Sequence, residues 1–300
     1  MQVSTRLFNK QSVETFADLT GQIQKKQEQV ATGKALTEAS DDPVKASRIM
    51  VVKEQRGQSE QFLRNIDISY VKLGLTEGAL DEVGNLLTRA YEIGIQAASA
   101  TNADGRRSLV IELRGLLDNV RDLGNSTDAS GRAIFGGFNL GDVPFVENAD
   151  GTTSFVGDRG SHVIKISPSM QLQTSVDGSG VFERVPATAG GYTSVFGILN
   201  AAISELETGD GSALPIDDLK SAIAHIADQR AVVGAQMNKA DNQRQVLENR
   251  MIVLTENIGE MEDADLGKIV TDLQNLLLNK EIAQKTFARI SQLSLFDMIA

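Results

Sequence analysis

The sequence predicts a mainly α protein: long helices from both chain ends pair as a coiled-coil or bundle rod, and a small, mostly β domain is inserted in the middle. Three observations predict this. Apolar residues at alternating steps of three and four run from Ile216 to Met261, a second ladder runs from Ser59 to Ala90, and from about Gly131 the period changes from helical to extended.

The first ladder is Ile216, Leu219, Ile223, Ile226, Arg230, Val233, Met237, Ala240, Arg244, Leu247, Met251, Leu254, Ile258 and Met261. A mean spacing of three and a half residues puts these on one helical stripe, as a coiled coil or long bundle helix requires. At 1.5 Å of rise per residue the helix is roughly 65 to 70 Å long. A stripe of that length cannot be buried against itself, so another long helix must cover it.

Composition narrows the function. At 41 % apolar the chain of 300 residues can fold, and its net charge of -11 argues against nucleic acid or an anionic membrane as partner. With no cysteine there is no disulfide, thiolate metal site or cysteine nucleophile. Residues Met1 to Val13 lack the apolar core of a secretory signal peptide, and no run of eighteen apolar residues occurs. Such a chain suits the cytoplasm, or export in unfolded form by a dedicated machine.

Along the chain, Val13, Phe16, Ile23 and Val30, with Thr20 and Gln27 on the intermediate rungs, predict a polar-rich first helix that Thr32-Gly33-Lys34 ends through a left-handed glycine. The Gly-Lys pair is not a phosphate loop, since Ala35 stands where Ser or Thr is needed and Glu28 where the first glycine belongs. In Ser40-Asp41-Asp42-Pro43-Val44, Asp42 is a helix N-cap and Pro43 the first helical residue; no third ligand makes the aspartates a metal pair.

The helix begun there extends towards Ala100 through Ser59, Phe62, Ile66, Ser69, Leu73, Thr76, Leu80, Val83, Leu87 and Ala90. It is softened by five glycines between Gly57 and Gly94, each costing about 1 kcal/mol against alanine. Thr101-Asn102-Ala103-Asp104 reads as a capping box for a third helix, with Leu109, Leu113, Leu116, Val120 and Leu123 on one face.

Ala133 to Phe138, Thr153 to Val156, His162 to Ile166 and Leu172 to Val176 are β-prone, and Asp150-Gly151 and Asp177-Gly178 are hairpin-type turn signals. Tyr192 to Leu206 restores helix, Thr208 to Ala213 breaks it, and Pro215 opens the long ladder. Beyond Met261 the ladder slips at a joint between Asp263 and Gly267 and resumes as Leu266, Ile269, Leu273, Leu276, Lys280, Ala283, Phe287 and Ile290. The apolar tail Ser291 to Ala300, with Leu293, Leu295 and Phe296, needs a partner to cover it.

No catalytic, cofactor or metal site emerges. His162 and His225 each lack a second ligand at metal spacing, and no Gly-x-Ser-x-Gly elbow or His-Glu-x-x-His occurs. Asn125-Ser126-Thr127 matches a glycosylation acceptor, a pattern too short to carry weight. The residues expected to pack or assemble are Leu247, Leu254, Ile258, Leu266, Ile269, Leu273, Leu276, Phe287, Ile290, Leu293, Leu295 and Phe296.

Ala31-Thr32-Gly33-Lys34 followed by Ala39-Ser40-Asp41-Asp42-Pro43-Val44 resembles the N-terminal signature of the flagellin superfamily. Within it, Ile290-Ser291-Gln292-Leu293-Ser294-Leu295-Phe296-Asp297 resembles the ending of the hook-associated protein 3 family. Phe155-Val156-Gly157-Asp158-Arg159-Gly160, with Gln171 and Gly180-Val181-Phe182, is similar to that family's middle domain, and Arg230 to Asn238 to the start of its C-terminal helix. The resemblance spans essentially the whole chain. It implies terminal polymerisation helices at 1–43 and 262–300, a helical rod at 44–131 and 201–261, and an outward β domain at 132–200. It also implies a structural protein of the bacterial flagellum, forming a junction ring between hook-associated protein 1 and flagellin and exported with a secretion chaperone. A flagellin-type filament subunit is the nearest alternative; an intracellular coiled-coil scaffold explains the ladders but neither the β insertion nor the apolar tail.

Overall fold

The computed structural model describes residues 2–98, 103–139, 143–208 and 213–296. These divide into two compact units, residues 1–58 with 249–300 and residues 59–248. Two long helices, α2 (Pro43–Ala98) and α6 (Ile216–Glu262), contribute to both.

In the first unit, α1 (Gln2–Thr32) packs along α7 (Leu266–Phe296). The two run antiparallel: Phe8 stacks on Phe287 at 6.0 Å between ring centroids, Phe16 meets the same ring edge-on at 5.7 Å, and Lys26 Nζ lies 3.0 Å from Asp272 Oδ2. The inward positions of α1 are Phe8, Ser12, Phe16, Leu19, Ile23, Lys26 and Gln29. The rungs expected at Val13, Thr20 and Gln27 face outwards, Val13 being 62 % exposed. Two frames share Phe16 and Ile23, and α1 is too polar for its own pattern to choose between them. Aromatic partners on α7 select the frame that contains Phe8.

The helix ends follow the sequence. Gly33, at φ 69°, closes α1. Asp42 Oδ1 accepts the backbone N–H of Lys45 at 2.9 Å and Pro43 opens α2. The slip after Met261 is a break between Glu262 and Leu266, where Asp265 caps α7 by accepting the Lys268 N–H at 3.0 Å. Residues Thr101 and Asn102 of the expected capping box, and 209–212 of the expected loop, lie outside the described residues.

In the second unit, α2 and α6 run antiparallel in a fixed register. Gly94 faces Ile216, Gly84 faces Ile226, Arg230 Nη1 lies 2.6 Å from Asp81, and Arg244 Nη2 lies 2.8 Å from Asp67. From Gly94 back to Asp67 is 27 residues and from Ile216 on to Arg244 is 28, so the seam neither slips nor bulges. A Cβ on Gly94 would lie 2.6 Å from Ile216 Cδ1, so that glycine lets the two helices close on one another. Every rung of the α2 ladder is buried except the half-buried Phe62, and every rung of α6 is buried or half-buried. Helix α3 (Ala103–Gly124) packs on α5 (Val195–Thr208) in the same unit.

The middle of the chain holds three antiparallel hairpins of short strands: β1 (Phe145–Glu147) with β2 (Thr153–Phe155), β3 (Val163–Lys165) with β4 (Gln171–Gln173), and β5 (Val185–Pro186) with β6 (Tyr192–Thr193). Gly151, at φ 79°, supplies the left-handed turn in the first hairpin. Three local expectations are corrected. Ala133 to Phe138 is a run of turns with one bridge, because Gly137 is left-handed, at φ 72°, and packs on the Asp158 backbone. Asp177-Gly178 starts a short helix, α4 (Gly178–Phe182), since Asp177 Oδ1 accepts the Ser179 N–H. Tyr192 and Thr193 are strand, and the helix waits until Val195, after the Ser194 hydroxyl accepts the Gly197 N–H.

Candidate assembly surface

The residues expected to pack or assemble separate into three groups. Leu247, Leu254, Ile258 and Ile269 are buried within the chain, whereas Leu273, Leu276 and Phe287 are half-buried on the α7 seam. Leu266 and Ile290 are exposed, at 47 % and 40 %. The side chains of Leu293, Leu295 and Phe296 lie outside the described residues.

Helix α7 carries more apolar surface than α1 covers. Ile269, Leu273, Leu276 and Phe287 face the pair, while exposed Leu266, Val270 and Leu277 form a second row at steps of four and seven. Leu278 and Ile282 are exposed further round. A helix with a single partner needs one stripe, so the second, bare stripe is a candidate association face. Beside it, Phe8, Phe16, Ile282, Phe287 and Ile290 line an apolar groove of about 290 Å³ between α1 and α7.

The sequence reading missed how the middle lobe is held. Phe145 is its hub, with ring centroids 4.9 Å from Phe182 and 5.2 Å from both Phe155 and Phe196; Phe135 meets Phe182 at 5.3 Å. In the Phe155 to Gly160 motif, Asp158 Oδ1 accepts the backbone N–H groups of Phe138 at 2.8 Å and Gly160 at 2.7 Å. Those bonds, that from Phe138 foremost, hold its carboxyl below the usual carboxylate range against the opposing effect of burial. Gly157 and Gly160 leave room for the rings of Phe155 and Phe138. The glycines and the lone aspartate in that motif were the available signal.

The β3–β4 hairpin is pinned at one residue pair. Lys165 and Gln171 face each other across it; Asn65 of α2 donates to the Lys165 carbonyl at 2.7 Å, and Lys239 of α6 donates to the Gln171 carbonyl at 2.7 Å.

His225 Nε2 lies 3.0 Å from the Gly180 carbonyl oxygen, and His162 packs edge-on to Phe138. A polar cleft of about 450 Å³ has its arginines already engaged, Arg121 with Asp118 and Glu147 and Arg114 with Glu207. Among the described residues no group of three or more His, Cys, Asp or Glu could hold a metal, and no helix is long and apolar enough to cross a membrane.

Comparison with known proteins agrees with this architecture. Residues 3–139 match the bacterial flagellin N-terminal helical region and residues 216–299 the bacterial flagellin C-terminal helical region. Flagellar hook-associated protein 3 of Escherichia coli is 25 % identical over 99 % of both chains, and that of Salmonella typhimurium 24 % over the same share. Flagellin of Bacillus subtilis is 22 % identical over 90 % of this chain and 89 % of its own. Among solved structures, hook-associated protein 3 of Legionella pneumophila superposes with a TM-score of 0.65 at 17 % identity, over 71 % of this chain and 98 % of its own. FlgL of Bacillus cereus gives 0.59 at 23 %, over 70 % and 99 %. Both helical regions together take in most of the chain, and the chain belongs to the bacterial flagellin family.

Proposed function

We propose that this chain is a structural subunit of the bacterial flagellum that joins the hook to the filament. The observation that carries the reading is full-length correspondence with two proteins named flagellar hook-associated protein 3, over 99 % of each chain. Residues 1–43 and 262–300 act as polymerisation helices, 44–131 and 201–261 as a rod, and 132–200 as the outward domain. Copies of the chain form a ring, with hook-associated protein 1 on one side and flagellin on the other. The subunit is exported without a cleaved signal and reaches the export apparatus with a secretion chaperone.

The bare row of α7 and the apolar groove beside Phe287 supply the contact surface, in which Leu266 and Ile290 are covered by neighbours. Subunits held by such contacts do mechanical rather than catalytic work. Electron microscopy of cells lacking this chain tests the reading: hooks without filaments, with flagellin shed into the medium, are expected, and intact filaments overturn it. Similarity to flagellins over about nine-tenths of the chain favours a filament subunit as the second reading. In that case the purified chain polymerises alone into long filaments, whereas a junction subunit does not.

A further inference from the structure

Within the second unit, α2 and the middle lobe enclose a small cavity of about 30 Å³, enough for one particle of the size of water. Three separate segments wall it: Lys72 on α2, the turn from Asp128 to Arg132, and His162 with Ser175, which flank the β3–β4 hairpin. The rest of the lining is mostly apolar.

Two nitrogen groups at this cavity lack partners. Lys72 is half-buried and meets no acceptor among the described residues, although the chain carries a net charge of -11. The Nε2 of His162 is buried and also without a hydrogen bond. Leaving an ammonium and a ring nitrogen unmatched away from water is unfavourable. The nearby acids are already engaged. Asp128 spends Oδ1 on the backbone N–H groups of Ser130 and Arg132 and Oδ2 on the Arg132 guanidinium. Asp158, in the same loop as His162, spends Oδ1 on the N–H groups of Phe138 and Gly160. Ser175 Oγ accepts the backbone N–H of His162 at 2.7 Å and keeps its own hydroxyl proton to donate.

We propose that the cavity binds one small monovalent anion, of the size of chloride or formate, held by the Lys72 ammonium, the His162 Nε2–H and the Ser175 hydroxyl. A neutral imidazole in its Nε2–H tautomer already donates, so the site needs no proton from solution. A water molecule would satisfy the ring nitrogen but leave the charge of Lys72 uncompensated in an apolar setting, and an anion answers both. Bound there, the ion joins α2 to the turn at Asp128 and to the β3–β4 hairpin. The site is independent of the junction reading.

His162 and His225 are the two histidines of the chain, so their ring signals can be told apart by nuclear magnetic resonance of the full protein. At fixed pH and ionic strength, sodium chloride or sodium formate replaces sodium gluconate, whose anion is too bulky to enter. The ring signals of His162 are expected to move and saturate, while those of His225, whose Nε2 lies 3.0 Å from the Gly180 carbonyl oxygen, stay in place. Lys72→Gln raises the half-saturating concentration about tenfold or more, as loss of a charge-assisted contact does. Lys220→Gln removes the same charge at an exposed position of α6 and leaves the titration unchanged. The melting temperature is higher in chloride than in gluconate, and that difference vanishes in Lys72→Gln. Lys72→Met, which keeps the apolar stem, takes its place if Lys72→Gln fails to fold. His162 signals that never saturate, that drift together with those of His225, or that respond unaltered in the Lys72 variant overturn the site.

Discussion

The side chain of Asn125 pairs with the backbone of Phe145 as a neighbouring β-strand would: the Phe145 N–H donates to Asn125 Oδ1 at 2.8 Å, and Asn125 Nδ2 donates to the Phe145 carbonyl at 2.9 Å. One amide thus fixes the hub of the five-phenylalanine cluster to the end of α3. Gly124 completes the seat, since a Cβ there would lie 2.9 Å from the Phe145 ring. Asn125→Asp keeps the shape but turns the donor into an acceptor that faces the Phe145 carbonyl. A loss of about 1–3 kcal/mol is expected, the cost of leaving a part-buried acceptor without its donor. Thermal or urea unfolding of the two chains measures it, and equal midpoints contradict the pairing.

Leu254 and Val253 are adjacent in sequence and opposite in environment, 6 % and 53 % exposed. Leu254→Ala should cost about 2–5 kcal/mol, as large-to-small changes in a packed seam do. Val253→Ala, by contrast, should stay within about 0.5 kcal/mol. Denaturant titration of the two variants checks this, and similar values for both would mean that the α6 ladder is not a buried seam.

Asp158 predicts a pH dependence with a definite sign. Its folded-state pKa is lowered, first by the Phe138 N–H and then by that of Gly160, so it binds its proton less readily folded than unfolded. The stability it contributes is fully present above the ordinary carboxylate value and is lost as pH falls through the lowered one. Acid should therefore loosen the loop around Phe138 and Gly160 before the helices melt. Hydrogen exchange of those two amides, compared between neutral and acid pH with exchange chemistry corrected for, should show lost protection. In Asp158→Asn the protection should already be lower at neutral pH and should no longer change with acid.

The long seam was legible because its signal is redundant. Twelve of the fourteen rungs of α6 are apolar and agree on one frame, which the two arginine rungs cannot overturn; Asp81 and Asp67 on the facing helix answer the charges of Arg230 and Arg244. On α1 the same reasoning chose the wrong neighbouring frame, because Phe16 and Ile23 belong to both and only the distant Phe287 decides. Strand β1 went unseen for a related reason. At three residues it has no alternation to detect, and its position is set by Asn125, 20 residues earlier. Asp177 carried a turn signal that the chain uses as a helix cap; both roles employ the same side-chain bond, and only the following Val181 and Phe182, buried in the aromatic cluster, select the helix. Of the assembly surface, one ladder on α7 was read, which mixes buried Ile269 with exposed Leu266 and Ile290; the second row through Val270 and Leu277 was not, because nothing local says which stripe α1 covers.

That uncovered row yields the last prediction. Leu277 is 47 % exposed, so Leu277→Glu removes little burial from the free chain, and unfolding should shift by no more than about 0.5 kcal/mol. If neighbouring subunits cover the row formed with Leu266 and Val270, the same change leaves a charge in an apolar contact repeated around the ring. Complete burial of one leucine is worth about 1.5–3 kcal/mol, and a desolvated charge costs more than the leucine contributed. Asn275→Glu adds the same charge on another, exposed face of α7 and is the control. Each variant is expressed in cells lacking the native chain, its secretion is measured, and filaments attached per cell are counted. Secreted Leu277→Glu chains without filaments, beside normal filaments for Asn275→Glu, are expected. Normal filament attachment in both would show that the exposed row of α7 is not an assembly surface.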